Sequence, residues 1–263
     1  MYLRMINNLK GDLVFFSLLL VFLLFGINVS SAKEVTYLDV KNMSIVTDFT
    51  DVYSYYDDNF KVEDLTDEYL KYDFSKLLVP DGVLGFIGKN YQRLHVNFVS
   101  VEKDKDDGKI YHVIGNTKVK NNSLDFEGEI EVVNIRSTPP RYGIDDIYRN
   151  KGIEKQGIFI GKYSFRENSK ERYSGKFDGI MVLDWLMHKD LGLSHNLDQG
   201  DSTRNNQYEG KWVSYKTGIS KVANWGMVRI PNSRWKPNSK GPFLDMGAAE
   251  FSVNPDYKKY GWE

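Results

Sequence analysis

The side chains with the most chemical potential lie in residues 184–206, DWLMHKDLGLSHNLDQGDSTRNN, where His188, Asp190, His195, Asp198 and Asp201 fall close together. Imidazole and carboxylate can jointly hold a divalent cation, so His188, His195, Asp198 and Asp201 form the metal-ligating expectation. Their spacing matches no standard site, and a solvated polar loop competes with the metal reading. Asp198 to Glu209 has the twelve-residue length of a calcium loop, but Gly200 and Ser202 stand where carboxylates or amides belong, and Thr203 replaces the turn glycine. Hydrolysis by paired carboxylates needs two acids roughly 5 to 10 Å apart, and Asp178 and Asp184, which bracket one expected strand, come nearest to that pattern. His95 and His112 sit in polar phase on neighbouring expected strands and read as ordinary sheet residues. The motifs GxSxG, HExxH, GxGxxG after a strand and the phosphate loop are absent. With no cysteine in the chain, a thiol nucleophile is excluded as well. These observations assign no catalytic residue and imply no cofactor.

The elements that must position these residues read as strands. YEGKWVSYKTG (208–218) opens on a pattern of ring, any residue, Gly, charge and bulky residue that also occurs as FEGEI (126–130), FIGKY (159–163) and YSGKF (173–177). At period two, both bulky residues and the Gly face one side and the charges face the other. A glycine at a strand midpoint signals either a bend or a neighbouring ring lying over bare backbone. The glycines are unevenly spaced, which excludes a uniform repeat. The period slips after Phe98, as a bulge would make it slip. Asp107 and Gly108 predict a type I′ hairpin turn, and Asn121, Asn122 and Ser123 a second one. Glu127, Glu129 and Glu131 form an outer row that Lys162 and Lys176 would complement. Residues 136–157 read as a long crossing loop, and ANWGMVRI (223–230) as the last strand. Upstream, VTYLDV and MSIVTDFTDVYSYY read as two strands, and residues 64–78 as one short helix before the Pro80, Asp81, Gly82 stop.

Residues 1–32 have the parts of a secretory signal. Arg4 and Lys10 precede the apolar run LVFFSLLLVFLLFG, and Ser30, Ser31 and Ala32 offer a cleavage site. An uncleaved anchor is the alternative, and with no cysteine the chain cannot carry a bacterial lipoprotein anchor. The expected division is a signal peptide at 1–32, an N-terminal extension with a short helix at 33–82, and a β-barrel domain with a Trp-rich tail at 83–263. The protein is expected to be periplasmic or secreted and to meet a membrane only through an uncleaved signal segment. A formal net charge of −1 argues against nucleic acid as a partner. Without disulfides the fold depends on packing, for which 17 Tyr, 15 Phe and 5 Trp supply apolar area.

From about Gly85 to Ile230 the order of antiparallel strands, with its aromatic and glycine pattern, resembles the lipocalin-like, or calycin-like, β-barrels found among secreted bacterial proteins. The usual opening GxW motif is missing, so no ligand residue is carried over. YEGKW is also similar to the start of a MORN repeat, though the later glycines of that unit are absent. The expected fold is mainly β, an antiparallel meander closing into a barrel. The leading functional reading is a non-enzymatic exported protein that binds a small apolar ligand in the barrel, or a partner protein of the envelope. Trp185, Tyr208, Trp212 and Trp225 are the ligand-binding expectation. Carbohydrate binding through exposed Trp and Tyr rings is the first alternative. A carboxylate- or metal-dependent hydrolase is the second.

Overall fold

From Val83 to Met227 side chains alternate between a buried and an outward face, and the resulting strands pair mainly with their neighbours in sequence. The computed structural model describes residues 34–61, 63–140, 152–197 and 203–233. The strands are β1 (Val83–Ile87), β2 (Gln92–Lys103), β3 (Ile110–Val119), β4 (Asn122–Thr138), β5 (Ile153–Glu167), β6 (Gly175–His188), β7 (Gly192–His195), β8 (Asn205–Ser214) and β9 (Ser220–Met227). All pairings are antiparallel, and β1 pairs with β9, closing an eight-stranded meander barrel as the pattern predicts. The short β7 lies outside this ring of eight and pairs only with the last residues of β6.

The inward face alternates rings with glycines. Phe126, Phe159, Tyr163, Phe177, Tyr208 and Trp212 belong to the central core, and the glycines beside them leave room for rings from other strands. A Cβ on Gly175 would strike the Trp212 ring, and one on Gly157 would meet the Trp185 ring at 2.7 Å. Gly157, Gly175 and Gly210 thus mark places where rings cover backbone, whereas Gly128 lies against the backbone of Ser164 and Phe165. The two register shifts also fall at glycines: the one between Phe98 and Ser100, the expected bulge, begins where Phe98 pairs with Gly115, and the one between Val132 and Asn134 begins where Val132 pairs with Gly161. On the outside, Lys162 reaches Glu131 across the strands at 3.0 Å, a half-buried pair worth some tenths of a kcal/mol.

The region before the barrel corrects the sequence reading. VTYLDV contains helix α1 (Tyr37–Val40), and the second expected strand is helix α2 (Ser44–Tyr56). The Thr36 backbone N–H donates to Asp39 Oδ2 at 2.9 Å and caps α1. In α2, Ile45, Val46, Phe49 and Tyr53 make a stripe of helical period that packs on Ile158, Ile160, Ile180 and Val182, outside β5 and β6. The β-branched and aromatic content that suggested a strand is overridden by this apolar wall. The single helix expected over 64–78 is two separate turns, α3 (Thr66–Tyr69) and α4 (Ser75–Leu78). Lys103 Nζ takes the carbonyls of Leu70 and Tyr72, which ends α3, and Asp73 Oδ1 accepts the Ser75 N–H at 2.8 Å where α4 begins.

Tyr69, Phe74, Leu77 and Leu78 from α3 and α4 join the barrel core and plug one end. The Leu65 N–H donates to the Ile135 carbonyl at 3.0 Å, and the Ile135 N–H to Thr66 Oγ1 at 3.0 Å, which satisfies the part of β4 that β3 leaves unpaired. Alternate connections of a meander share an end, so the β1–β2, β3–β4, β5–β6 and β8–β9 turns all lie opposite this plug.

Several connections differ from expectation. Asp107 and Gly108 are not a type I′ pair, since neither has positive φ; the connection is residues 104–109, organised by Asp104 Oδ1 accepting the Asp106 and Asp107 N–H groups at 2.8 Å each. The next hairpin turns at Lys120 and Asn121, because Val119 pairs with Asn122. The crossing loop is shorter than 136–157, as β4 continues to Thr138 and β5 begins at Ile153. The last strand stops at Met227, where Val228 takes φ 66. The signal segment at 1–32 and the tail beyond 233 lie outside the described residues, and among those residues no helix is long and apolar enough to cross a membrane.

Candidate functional site

The four residues expected to bind a ligand all face the barrel interior. Trp185, Tyr208 and Trp225 are fully buried and Trp212 is nearly so. Tyr208 and Trp225 stack with ring centroids 4.8 Å apart and an interplanar angle of 14°, while Tyr163 meets both edge-on. Trp185 is separate, packed under Tyr69 at the plug. Trp212 lies toward the turn end, where its Nε1 donates to Glu167 Oε2 at 3.1 Å. None of the four offers a ring face to solvent. Tyr163 and Tyr208 also bury hydroxyls that have no hydrogen-bond partner among the described residues, and burial raises the pKa of both above the ordinary tyrosine value.

Of the metal-ligating expectation, His188 and His195 occupy strands and not a loop. His188 Nε2 is 2.9 Å from Ser194 Oγ. His195 Nε2 donates to the Leu77 carbonyl at 2.8 Å, and burial lowers its pKa, so the ring is a neutral clamp on the plug. Asp198 and Asp201 lie outside the described residues. Among the described residues no three His, Asp or Glu side chains converge.

Asp178 and Asp184 project from the outer face of β6, six residues apart, which is roughly 20 Å at the rise of a strand and too far for a catalytic pair. Asp178 accepts from Ser164 Oγ at 3.0 Å and lies 3.0 Å from Lys176 Nζ. Asp184 is fully buried beneath α2; Tyr53 Oη donates to its Oδ1 at 2.6 Å, and Asn196 Nδ2 approaches at 3.4 Å. This arrangement anchors a helix. His95 and His112 stay apart, with His95 paired to Lys118 and His112 to Glu102 across the same ladder.

An accessible concavity lies on the outer wall. Met43, next to the start of α2, forms an open groove of about 510 Å³ with Phe86, Tyr91, Glu209, Asn224 and Asn232, while Lys89 stands on its rim. Each element has a local reason for its place. Tyr91, held at φ 49, lays its ring on Phe86 with centroids 4.7 Å apart. Asn224 accepts the Gly210 N–H at 3.1 Å and donates to the Pro231 carbonyl at 3.1 Å, which folds the segment after β9 back over the strands. Ser44 Oγ lies 3.0 Å from Glu209 Oε2 and 2.9 Å from Asn232 Oδ1, and its single proton satisfies one acceptor at a time. Among the described residues Glu209 has no cation within ion-pair distance and is the one carboxylate lining the groove. A ring, a carboxylate, an amide and an ammonium therefore face solvent together, a set suited to hydrogen bonding and stacking against a polar ligand.

Sequence reasoning missed this groove. Glu209 read as an outer charge of the YEGKW strand, and Ser44 was placed in a strand 165 positions earlier. The eight-stranded antiparallel meander defines the class of protein as a closed β-barrel. Comparison with protein-family models, with curated proteins and with solved structures gives no match.

Proposed function

We propose that this chain is an exported, non-enzymatic binding protein that takes a hydroxyl-rich ligand, a glycan, in the groove between α2, β8 and β9. The observation that carries this reading is the occupied lumen: the barrel's own rings fill the space in which a calycin-like barrel would hold a small apolar molecule. The eight-strand meander supports the calycin-like assignment, and the filled interior moves the ligand to the outer wall. There, Tyr91 offers a ring, while Glu209 and Asn232 offer oxygens and an amide to sugar hydroxyls. The lone carboxylate supports binding over hydrolysis, which needs a second acid. Export rests on the basic, apolar and small-residue order of residues 1–32.

A thermal-shift series with glucose and N-acetylglucosamine oligosaccharides tests this reading. Binding to the folded state alone stabilises it by about 2.7 kcal/mol at a hundredfold excess over Kd. The expected result is a sugar-dependent rise in Tm that Glu209→Gln and Tyr91→Ala each remove. A rise with palmitate and none with sugars, unaffected by those substitutions, would return the ligand to the lumen.

A further inference from the structure

We infer that the turn end of the barrel, opposite the helical plug, docks on an anionic phospholipid surface. The four turns there are residues 88–91, 120–121, 168–174 and 215–219. They carry Lys89, Lys120, Lys170, Arg172 and Lys216 against a single acid, Glu171, in a chain whose formal net charge is −1. All five cations are exposed, and none is in an ion pair among the described residues. The excess of positive charge is therefore local to this end and available to a partner.

Apolar side chains stand among these charges. Tyr173, Tyr215 and Ile219 are 63%, 40% and 58% exposed. The Tyr215 N–H donates to the Ser174 carbonyl at 3.1 Å, which holds the β5–β6 and β8–β9 turns together so that the three residues share one patch. The Arg172 guanidinium lies 4.6 Å from the centre of the Tyr173 ring. Three of the four turns place a non-glycine residue at positive φ, Tyr91, Lys120 and Tyr173, while the fourth uses Gly218. Bulky or charged residues held where glycine is easier point to a use for their side chains.

The mixture identifies the occupant. Phosphate groups on any polyanion would satisfy the cations, but exposed tyrosine rings and an isoleucine gain most at the boundary between headgroups and acyl chains. A bilayer is also broad enough to meet all four turns at once. Lys89 and Tyr91 of the β1–β2 turn also line the groove, while the other three turns, with Lys120, Lys170, Arg172 and Lys216, contribute no residue to it among the described residues.

The full chain, as released by an exporting host, is sedimented at low salt with vesicles of phosphatidylcholine alone and of phosphatidylcholine mixed with phosphatidylglycerol. Binding to the anionic mixture only, lost at high salt, is the expected result. Each cation at such a surface changes affinity about fivefold, so Lys120→Glu with Arg172→Glu weakens binding at least ~25-fold. Lys105→Glu with Lys189→Glu makes the same change of net charge at the plug end and leaves binding unaltered. Equal binding to phosphatidylcholine alone, no binding to either vesicle, or equal loss in the two double variants would overturn the inference. So would binding to duplex DNA or heparin without vesicle binding, which would assign the patch to another polyanion.

Discussion

The Tyr163 side chain lies across Gly210: a Cβ on Gly210 would overlap the tyrosine hydroxyl, and one on Gly179, the partner of Gly210 in the next strand, would come within 2.6 Å of it. Ring and glycines form one packed unit in the barrel wall, and this unit underlies the claim that the lumen is filled. Gly210→Val is expected to destabilise the protein by on the order of 1 to 3 kcal/mol, since neither the backbone nor the ring has room to move. Urea unfolding of the variant measures this, and an unchanged midpoint would show that the contact can relax.

Tyr163→Phe should act in the opposite direction. The Tyr163 hydroxyl is buried without a hydrogen-bond partner among the described residues, and such a group costs about 1 to 3 kcal/mol of desolvation. Its removal is expected to raise Tm and to lessen the effect of alanine at position 210. A double-mutant cycle of Tyr163→Phe with Gly210→Ala reads the coupling directly.

The hydrogen bond from Tyr53 to Asp184 joins α2 to the barrel at 2.6 Å. Tyr53→Phe leaves a fully buried carboxylate short of its nearest donor and is expected to cost about 1 to 3 kcal/mol. Amide exchange should accelerate in α2 before it does in β5 or β6. Uniform acceleration would mean that helix and barrel open as one unit.

The histidines give opposite pH dependences. The hydrogen bond with Asp104, 2.7 Å away, raises His112 above its ordinary 6.5, and the same bond with His112 is the main cause that lowers Asp104 to about 2. The His112 contribution to stability is complete below about 6.5 and is lost as pH rises through the folded value. The Asp104 contribution is complete above 3.8 and is lost as pH falls through about 2. Burial lowers His195, so the unfolded chain takes up that proton first and stability falls as pH drops below about 6.5. Proton NMR should place the His112 midpoint above that of His195, and Asp104→Asn should bring the two closer.

The barrel was legible in the sequence because its code is local: ring and glycine two positions apart share a face, so FEGEI and YEGKW display their inward sides directly. Helix α2 was not legible. Ile45, Val46, Val52 and four aromatic residues favour a strand, and only the distant wall of Ile158, Ile160, Ile180 and Val182 makes a helix the better solution. The groove was hidden for a related reason, since Ser44, Tyr91, Glu209 and Asn232 meet only when α2 and the segment after β9 fold back on the barrel. Composition showed abundant rings, but a ring's type does not say whether it fills a core or faces solvent, and Trp185, Tyr208 and Trp225 fill the core.

Amide chemical-shift mapping during titration with glucose or N-acetylglucosamine oligosaccharides, repeated with palmitate, tests the central claim most directly. A filled barrel with an external site predicts sugar-dependent shifts at Lys89, Tyr91, Glu209, Gly210 and Val222, and none at Tyr163, Phe165 or Trp225 with either ligand. Shifts concentrated at Tyr163, Phe165 and Trp225 on adding palmitate would show a lumen that opens to hold a ligand and would contradict the account.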